Sequence, residues 1–560
     1  MRQRILRSVV VAVCVLAFGS FAAGAAVGGS EAPRFEVSYS ASAHAGPITG
    51  RLILVLATRE KPEPRLAVSP LGPAIFGVDL EQLRPGQAAV VDASTLGFPK
   101  RSLSDLPPGD YYAQAVIHVY TQVRRKDGHT IWVHMNDGRR ETFNRAAGNL
   151  YSEVQPVRLG AGGTFKIEVT KLIPAVQRPA DTEWVKRVRI QSKLLTEFWG
   201  HPIFIHATVL LPKDYEKHTE VHYPTIYTMI HSVPFSFNPD PASAAGRPEV
   251  HPDTGLETGH RFYQSWISDK FPRVIAIAFE QQTPYFPDSY SVNSANNGPY
   301  GDAIVQEVIP FLEQRFRIIR KPYARIVEGA STGGWQALAL QLKHPDFFGG
   351  AWVLQPDPID FHRYQLVNIY EDENAFSRRR GAFITSEHPM RRTTEGHVDW
   401  TMRELSLFEE VLGSHGRSGF QFEGWEAVYG PIGPDGYPRP LWDKLTGKID
   451  REVAHYMRDN GYDLREYAQR NWATLGPKII GKLHFFCGDM DNFYLNLAVY
   501  RFEEFLKGTT NPHYAGRFTY GRPMKSHSWH AWTWAGMVEE IADYIRRNSP
   551  AGENAAAWNY

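Results

Sequence analysis

The chain has 560 residues, 43% of them hydrophobic and 13% aromatic, with 61 basic against 60 acidic side chains. That length exceeds one ordinary core, so two domains are expected, each with ample apolar surface to bury. The near-zero charge leaves no electrostatic case for a nucleic-acid partner or an anionic membrane surface, and small or neutral partners are expected instead.

At the N-terminus, Arg2, Arg4 and Arg7 precede an apolar run at 9–18 and then Ala22-Ala23-Gly24-Ala25-Ala26. Basic, hydrophobic and small residues in that order read as a secretory signal peptide over 1–26, cleaved near Ala25 or Ala26. The apolar run is shorter than the roughly 20 residues that span a bilayer. A secreted or periplasmic protein with no stable membrane span after cleavage is therefore expected. Cys14 leaves with the peptide, so Cys487 stands alone in the mature chain, no intrachain disulfide can form, and a lone cysteine in an apolar strand reads as a small buried hydrophobe.

Residues 31–175 read as an all-β, sandwich-like domain. Short apolar or alternating runs at 49–56, 111–120 and 164–169 are separated by turn clusters such as Leu106-Pro107-Pro108-Gly109-Asp110 and Gly160-Ala161-Gly162-Gly163. No catalytic constellation lies in it, so its role is packing or the positioning of a substrate. A linker follows at 175–181.

From 182 to 547 the pattern changes. Strand-like runs at 203–212, 223–231 and 273–279, a helical spacing of Ile304, Val308, Ile309, Phe311 and Leu312, and a strand at 324–328 alternate as in a mostly parallel sheet with helices on both faces. The strand at 324–328 runs into Gly329-Ala330-Ser331-Thr332-Gly333-Gly334-Trp335. This is a G-x-S-x-G nucleophile elbow, followed at 335–342 by helix formers that stop before Pro345. Another strand is expected at 350–355. The alternation then lapses over 357–477, where helices at 400–412 and 451–459 flank a proline- and aromatic-rich loop. An insertion at that edge of the sheet is expected to cap the site and to shape the substrate pocket. The sheet resumes at 482–488, and a last helix is expected at 535–546.

A serine hydroxyl needs a histidine to take its proton and an acid to orient the ring. Asp491 lies just past the strand ending at Cys487, and His527 lies in a loop before the last helix, the order that such folds use. Asp489 is the alternative acid. His530 competes with His527, but the pattern H-x-W-x-x-W begins only at His527. A metal site from Asp489, Asp491 and Asn492 lacks a further ligand at a recognisable spacing, so no metal and no cofactor are expected.

The elbow at 329–335, the Gly-x-x-Asp at 488–491 and His527-Ser528-Trp529 with Trp532 resemble the motifs of the esterase family that includes esterase D, enterochelin esterases, feruloyl esterases and the secreted mycolyltransferases. The resemblance runs over about 208–547, the insertion excepted. It implies an α/β fold of the α/β-hydrolase type, cleavage of a carboxylic ester, and Ser331, Asp491 and His527 as the triad. One oxyanion donor is then the Thr332 amide. The family commonly supplies the second from His-Gly, where this chain has His231-Ser232, and Ser232 is the candidate.

Other residues that could line the pocket are Trp335, Trp529, and Tyr290, Asn293 and Asn296 from the amide-rich loop 288–301, a stretch that equally suits a solvated turn. The expected substrate is a small-molecule or glycan-linked ester. Two alternatives use the same scaffold: an acyltransferase of the mycolyltransferase type, or a catalytically silent binding protein.

Overall fold

The computed structural model describes residues 32–160, 162–229, 232–554, 557–558 and 560; the expected signal peptide and His231 lie outside the described residues. Between Arg34 and Leu172 the regular elements are strands and two short 3-10 turns. The sequence suggests two facing sheets, whereas hydrogen bonds join nine of the strands into one sheet. Its first strand, Arg34–Tyr39, runs parallel to its last, Thr164–Leu172.

The strand Ile48–Ala57 explains why its sequence is almost continuously apolar. Leu52, Leu54 and Leu56 enter a core shared with Phe35, Val37, Ile117 and Val169. Ile53 and Val55, pointing to the other face by the strand's two-residue period, belong to the large core of the C-terminal part. Both faces of this strand are covered, so it needs no polar stripe.

The second sheet holds eight strands: β1 (Val185–Ser192), β2 (Ile203–Leu210), β3 (Thr225–Thr228), β4 (Ile275–Glu280), β5 (Arg325–Ala330), β6 (Gly350–Leu354), β7 (Leu483–Gly488) and β8 (Arg517–Gly521). Their spatial order is β1-β2-β4-β3-β5-β6-β7-β8. The contacts of β2 with β1 and β4 are antiparallel, and every other pairing is parallel. Parallel pairing requires crossovers, and these carry helices α1 (Gly259–Trp266), α2 (Thr332–Lys343) and α5 (Asn496–Lys507), while α6 (Trp534–Arg547) follows the last strand. Central strands such as β6 and β7 are buried at every residue, as expected of a sheet covered on both faces.

The stretch between β6 and β7 contains α3 (Met402–Leu412) and α4 (Gln421–Tyr429). Helix α3 starts at a capping box, in which Thr401 accepts from the Glu404 amide while Glu404 accepts from the Thr401 amide. Its C-terminal end meets the N-terminal sheet, where the Arg51 guanidinium donates to the carbonyls of Glu410 and Val411. Among the described residues no helix is long and apolar enough to cross a membrane.

Candidate active site

Ser331 occupies the turn between β5 and α2 with φ 57° and ψ −121°, a backbone conformation that non-glycine residues rarely adopt. The glycines two residues to either side, Gly329 and Gly333, allow the turn by having no side chains. A Cβ on Gly329 would lie 2.5 Å from the Gly333 carbonyl, and one on Gly333 would lie 2.2 Å from the Met229 oxygen. The start of α2 therefore sits directly against the end of β3, at Met229, ahead of the loop that contains Ser232. Ser232, in that loop, is exposed.

The other two triad candidates meet beyond β7 and β8. Asp491 is fully buried; its Oδ1 accepts from the amides of Phe493 at 2.8 Å and Leu495 at 3.2 Å, and its Oδ2 lies 2.6 Å from His527 Nδ1. With its Nδ1 hydrogen directed at Asp491, His527 keeps Nε2 as the acceptor. Burial pulls the imidazole's pKa down, but Asp491 beside it, joined by Asp357, outweighs this and leaves it above the ordinary 6.5.

The competitors are engaged otherwise. Asp489 accepts from the Lys525 amide, and Asn492 accepts from the His527 amide while donating to the Arg392 carbonyl. His530, whose amide donates to the Thr254 carbonyl, is pushed down to about 4 by burial and is neutral.

Of the pocket candidates, Tyr290 comes to the elbow. Its hydroxyl donates to Asp357 Oδ2 at 2.6 Å and stands 3.2 Å from Thr332 Oγ1. Trp335 is wholly buried, its ring 5.0 Å from that of Tyr429 and 5.6 Å from that of Tyr290. Asn296 is buried too and donates to the Gly430 carbonyl, while its own carbonyl accepts from Arg125 of the N-terminal part. Asn293 is exposed and pairs with Asp302. Trp529 lies over Gly521, where a Cβ would come within 2.4 Å of the indole. Among these, Tyr290 and Trp335 meet the elbow, Trp335 as part of α2, where its amide donates to the Ser331 carbonyl at 3.1 Å.

Sequence reading passed over Asp357, which follows β6 between two prolines. It is 3% exposed, and its Oδ1 accepts the Ser331 hydroxyl at 3.2 Å. Burial raises this carboxyl's pKa above the ordinary range, against the donors that surround it. Gln421 and Trp425 of α4 reach the same place, each donating to the Tyr290 hydroxyl at 2.6 Å. No hydrogen bond joins Ser331 to His527 among the described residues. A carboxylate one step past a strand, ahead of the long insertion, was the one available signal.

One trio of potential metal ligands stands together among the described residues: Asp360, His362 and Asp463. Arg501 lies 2.6 Å from the Asp360 carboxylate and Arg465 lies 3.8 Å from it, so this acidic pair is met by guanidinium charge. A cavity of about 140 Å³ opens between the N-terminal sheet, the loop after β4 and the insertion, lined by His118, His134, Phe286, Phe408 and Phe420 and not by the elbow.

A sheet of this order with a strained serine between its fifth strand and the next helix defines the class: an α/β-hydrolase. Within that class, residues 204–360 match the family model described as "Esterase: Putative esterase". The chain therefore carries an esterase-family domain, and its enzyme class is that of the carboxylic ester hydrolases. No curated protein matches the chain.

Similar solved structures include a ferulic acid esterase, 16% identical over 65% of this chain and 98% of its own, with a TM-score of 0.31. A fluorophosphonate-binding serine hydrolase of Staphylococcus aureus is 15% identical over 64% and 98%, with a TM-score of 0.33. An S-formylglutathione hydrolase of the same organism is 15% identical over 64% and 99%, with a TM-score of 0.31.

Proposed function

We propose that the protein is a secreted or periplasmic serine esterase that cleaves a carboxylic ester through an acyl-enzyme. The observation that carries this reading is the 2.6 Å contact between Asp491 and His527 Nδ1, set in the same fold edge as a serine held at positive φ. Asp491 fixes the tautomer, so His527 Nε2 takes the Ser331 proton as the oxygen attacks the carbonyl carbon. The electron pair of the carbonyl moves onto its oxygen, which the Thr332 amide and a backbone donor near Ser232 receive. Collapse of this intermediate expels the alcohol, to which His527 returns the proton. Water then repeats the sequence and frees the acid. The insertion between β6 and β7 acts as the cap, bringing α4 to the elbow, and the N-terminal sheet braces that cap through Arg51.

The test is hydrolysis of p-nitrophenyl esters of increasing acyl length by the wild type and by Ser331→Ala, both verified as folded. Loss of turnover by about 10³-fold or more supports the serine mechanism; equal rates would remove Ser331 from the chemistry. Only neutral His527 is a base, and its pKa lies above 6.5. The rate should therefore fall on the acid side through a midpoint above that value.

A further inference from the structure

The three residues of the proposed triad leave Asp357 unexplained, although it is the group to which the Ser331 hydroxyl is bonded. Its Oδ1 receives that hydroxyl at 3.2 Å. Its Oδ2 receives Tyr290 at 2.6 Å and Thr332 Oγ1 at 3.1 Å, with Trp425 Nε1 at 3.3 Å and Gln421 Nε2 at 3.4 Å. These donors come from the elbow, from the loop after β4 and from α4. Donors in this number favour the charged form of a carboxyl that burial alone would neutralise.

A negative charge next to the nucleophile opposes the negative charge that develops on the oxyanion. It helps only where a positive charge forms close by at the same moment, and the group that becomes positive is His527. Resting on the serine-esterase reading, we propose that Asp357 is a second catalytic carboxylate, which holds the Ser331 hydroxyl in the resting enzyme and shares with Asp491 the stabilisation of the imidazolium formed during attack. The bookkeeping of the step is unchanged. The Ser331 O–H bond breaks, the bond from that oxygen to the acyl carbon forms, the proton passes to His527 Nε2, and Asp357 itself takes no proton.

The surrounding charges fit this role. Around Asp357 stand the phenols of Tyr290, Tyr364 and Tyr429, all raised well above 10 by burial and so neutral, and the buried Asp288, pushed up to about 7. Around His527 stand Asp491, neutral His530, and Arg391, a cation that opposes its protonation.

The experiment compares kcat, KM and their pH profiles for the wild type, Ser331→Ala, Asp357→Asn and Asp288→Asn. Proton NMR of the downfield His527 Nδ1 hydrogen, followed against pH, reports the imidazole directly. Asp357→Asn is expected to lower kcat at least about 10-fold with KM changed less than about 3-fold. It should also move the acid limb and the NMR midpoint of His527 down by about one pH unit, since one of two raising charges is gone. Asp288→Asn should leave the limb in place.

If Asp357→Asn leaves kcat and the limb unchanged while Ser331→Ala is inactive, Asp357 is structural and the proposal alone is overturned. If the limb moves with Asp288→Asn instead, it is likewise overturned. If Ser331→Ala turns over at the wild-type rate, the serine-esterase reading falls and takes the proposal with it. Should Asp357→Asn not fold, Tyr290→Phe removes the 2.6 Å donor that keeps the same carboxylate charged; it must move the limb in the same direction, and an unmoved limb overturns the proposal equally.

Discussion

At residue scale the elbow combines one strained residue with three glycines, Gly329, Gly333 and Gly334, that cannot be enlarged. Ser331 at positive φ costs of order 1–3 kcal/mol, which the close packing of α2 on β3 and β6 offsets. That packing is the reason for Gly333: a methyl group there would lie 2.2 Å from a backbone oxygen, which cannot rotate away as a side chain could. Gly333→Ala is therefore expected to destabilise the fold by about 3 kcal/mol, at the upper end for overpacking, as a lower urea midpoint with an unchanged slope. A midpoint within about 0.5 kcal/mol of the wild type would mean that α2 can shift away from β3, and the elbow would then be less constrained than its contacts imply.

At element scale, α3 and α4 hold three glutamates around one lysine. Glu409 accepts from the amides of Phe422 and Glu423, Glu423 accepts from the Ser418 amide, and Glu426 takes the Leu441 amide and the Lys444 ammonium at 2.8 Å. Burial raises all three carboxyls above the ordinary 4.5, with Lys444 pulling the other way. A raised carboxyl contributes stability that is fully present below 4.5 and is lost as pH rises through its folded value.

Lys444→Met leaves these carboxylates without their cation, so it is expected to cost about 3–5 kcal/mol at pH 7.5. The difference from the wild type should narrow as pH falls toward 4.5 and the glutamates take up protons. Urea unfolding at several pH values measures this; a difference independent of pH would show that Lys444 acts through its packing and not through its charge.

At the scale of the whole molecule, the N-terminal sheet and the hydrolase unit share a core. Phe98 of the sheet meets Phe408 of α3 with ring centroids 5.4 Å apart, Gly77 lies against the Val411 carbonyl, and Arg51 covers the same helix end. Removing residues up to 175 would uncover Phe408, Val411 and Leu412, each worth about 1.5–3 kcal/mol of burial. A chain beginning at 182 is thus expected to be insoluble or to lose its cooperative melt, even though it keeps Ser331, Asp491 and His527. A soluble fragment with full esterase activity would show that the sheet is dispensable for the cap.

The sequence by itself determined what is local. Gly329 and Gly333 around a serine, a preceding β-rich run and a following helical run specify strand, turn and helix, because a sharp turn at positive φ tolerates no bulk beside it. The positions of Asp491 and His527 were equally legible, since Asp491 follows β7 and His527 precedes the last helix, two elements with their own periodicity. What lies across the sheet was decided only by tertiary structure.

Asp357 reaches Ser331 because parallel pairing sets Ala330 opposite Leu354, which carries the chain after β6 to the elbow. Tyr290, Gln421 and Trp425 arrive from the loop after β4 and from α4, far along the chain, and no spacing rule links them. Likewise, the apolar run at Ile48–Ala57 announced a strand but not its company: one face turns into its own domain and the other toward the hydrolase unit. Periodicity records that a face is buried, and the fold decides against what.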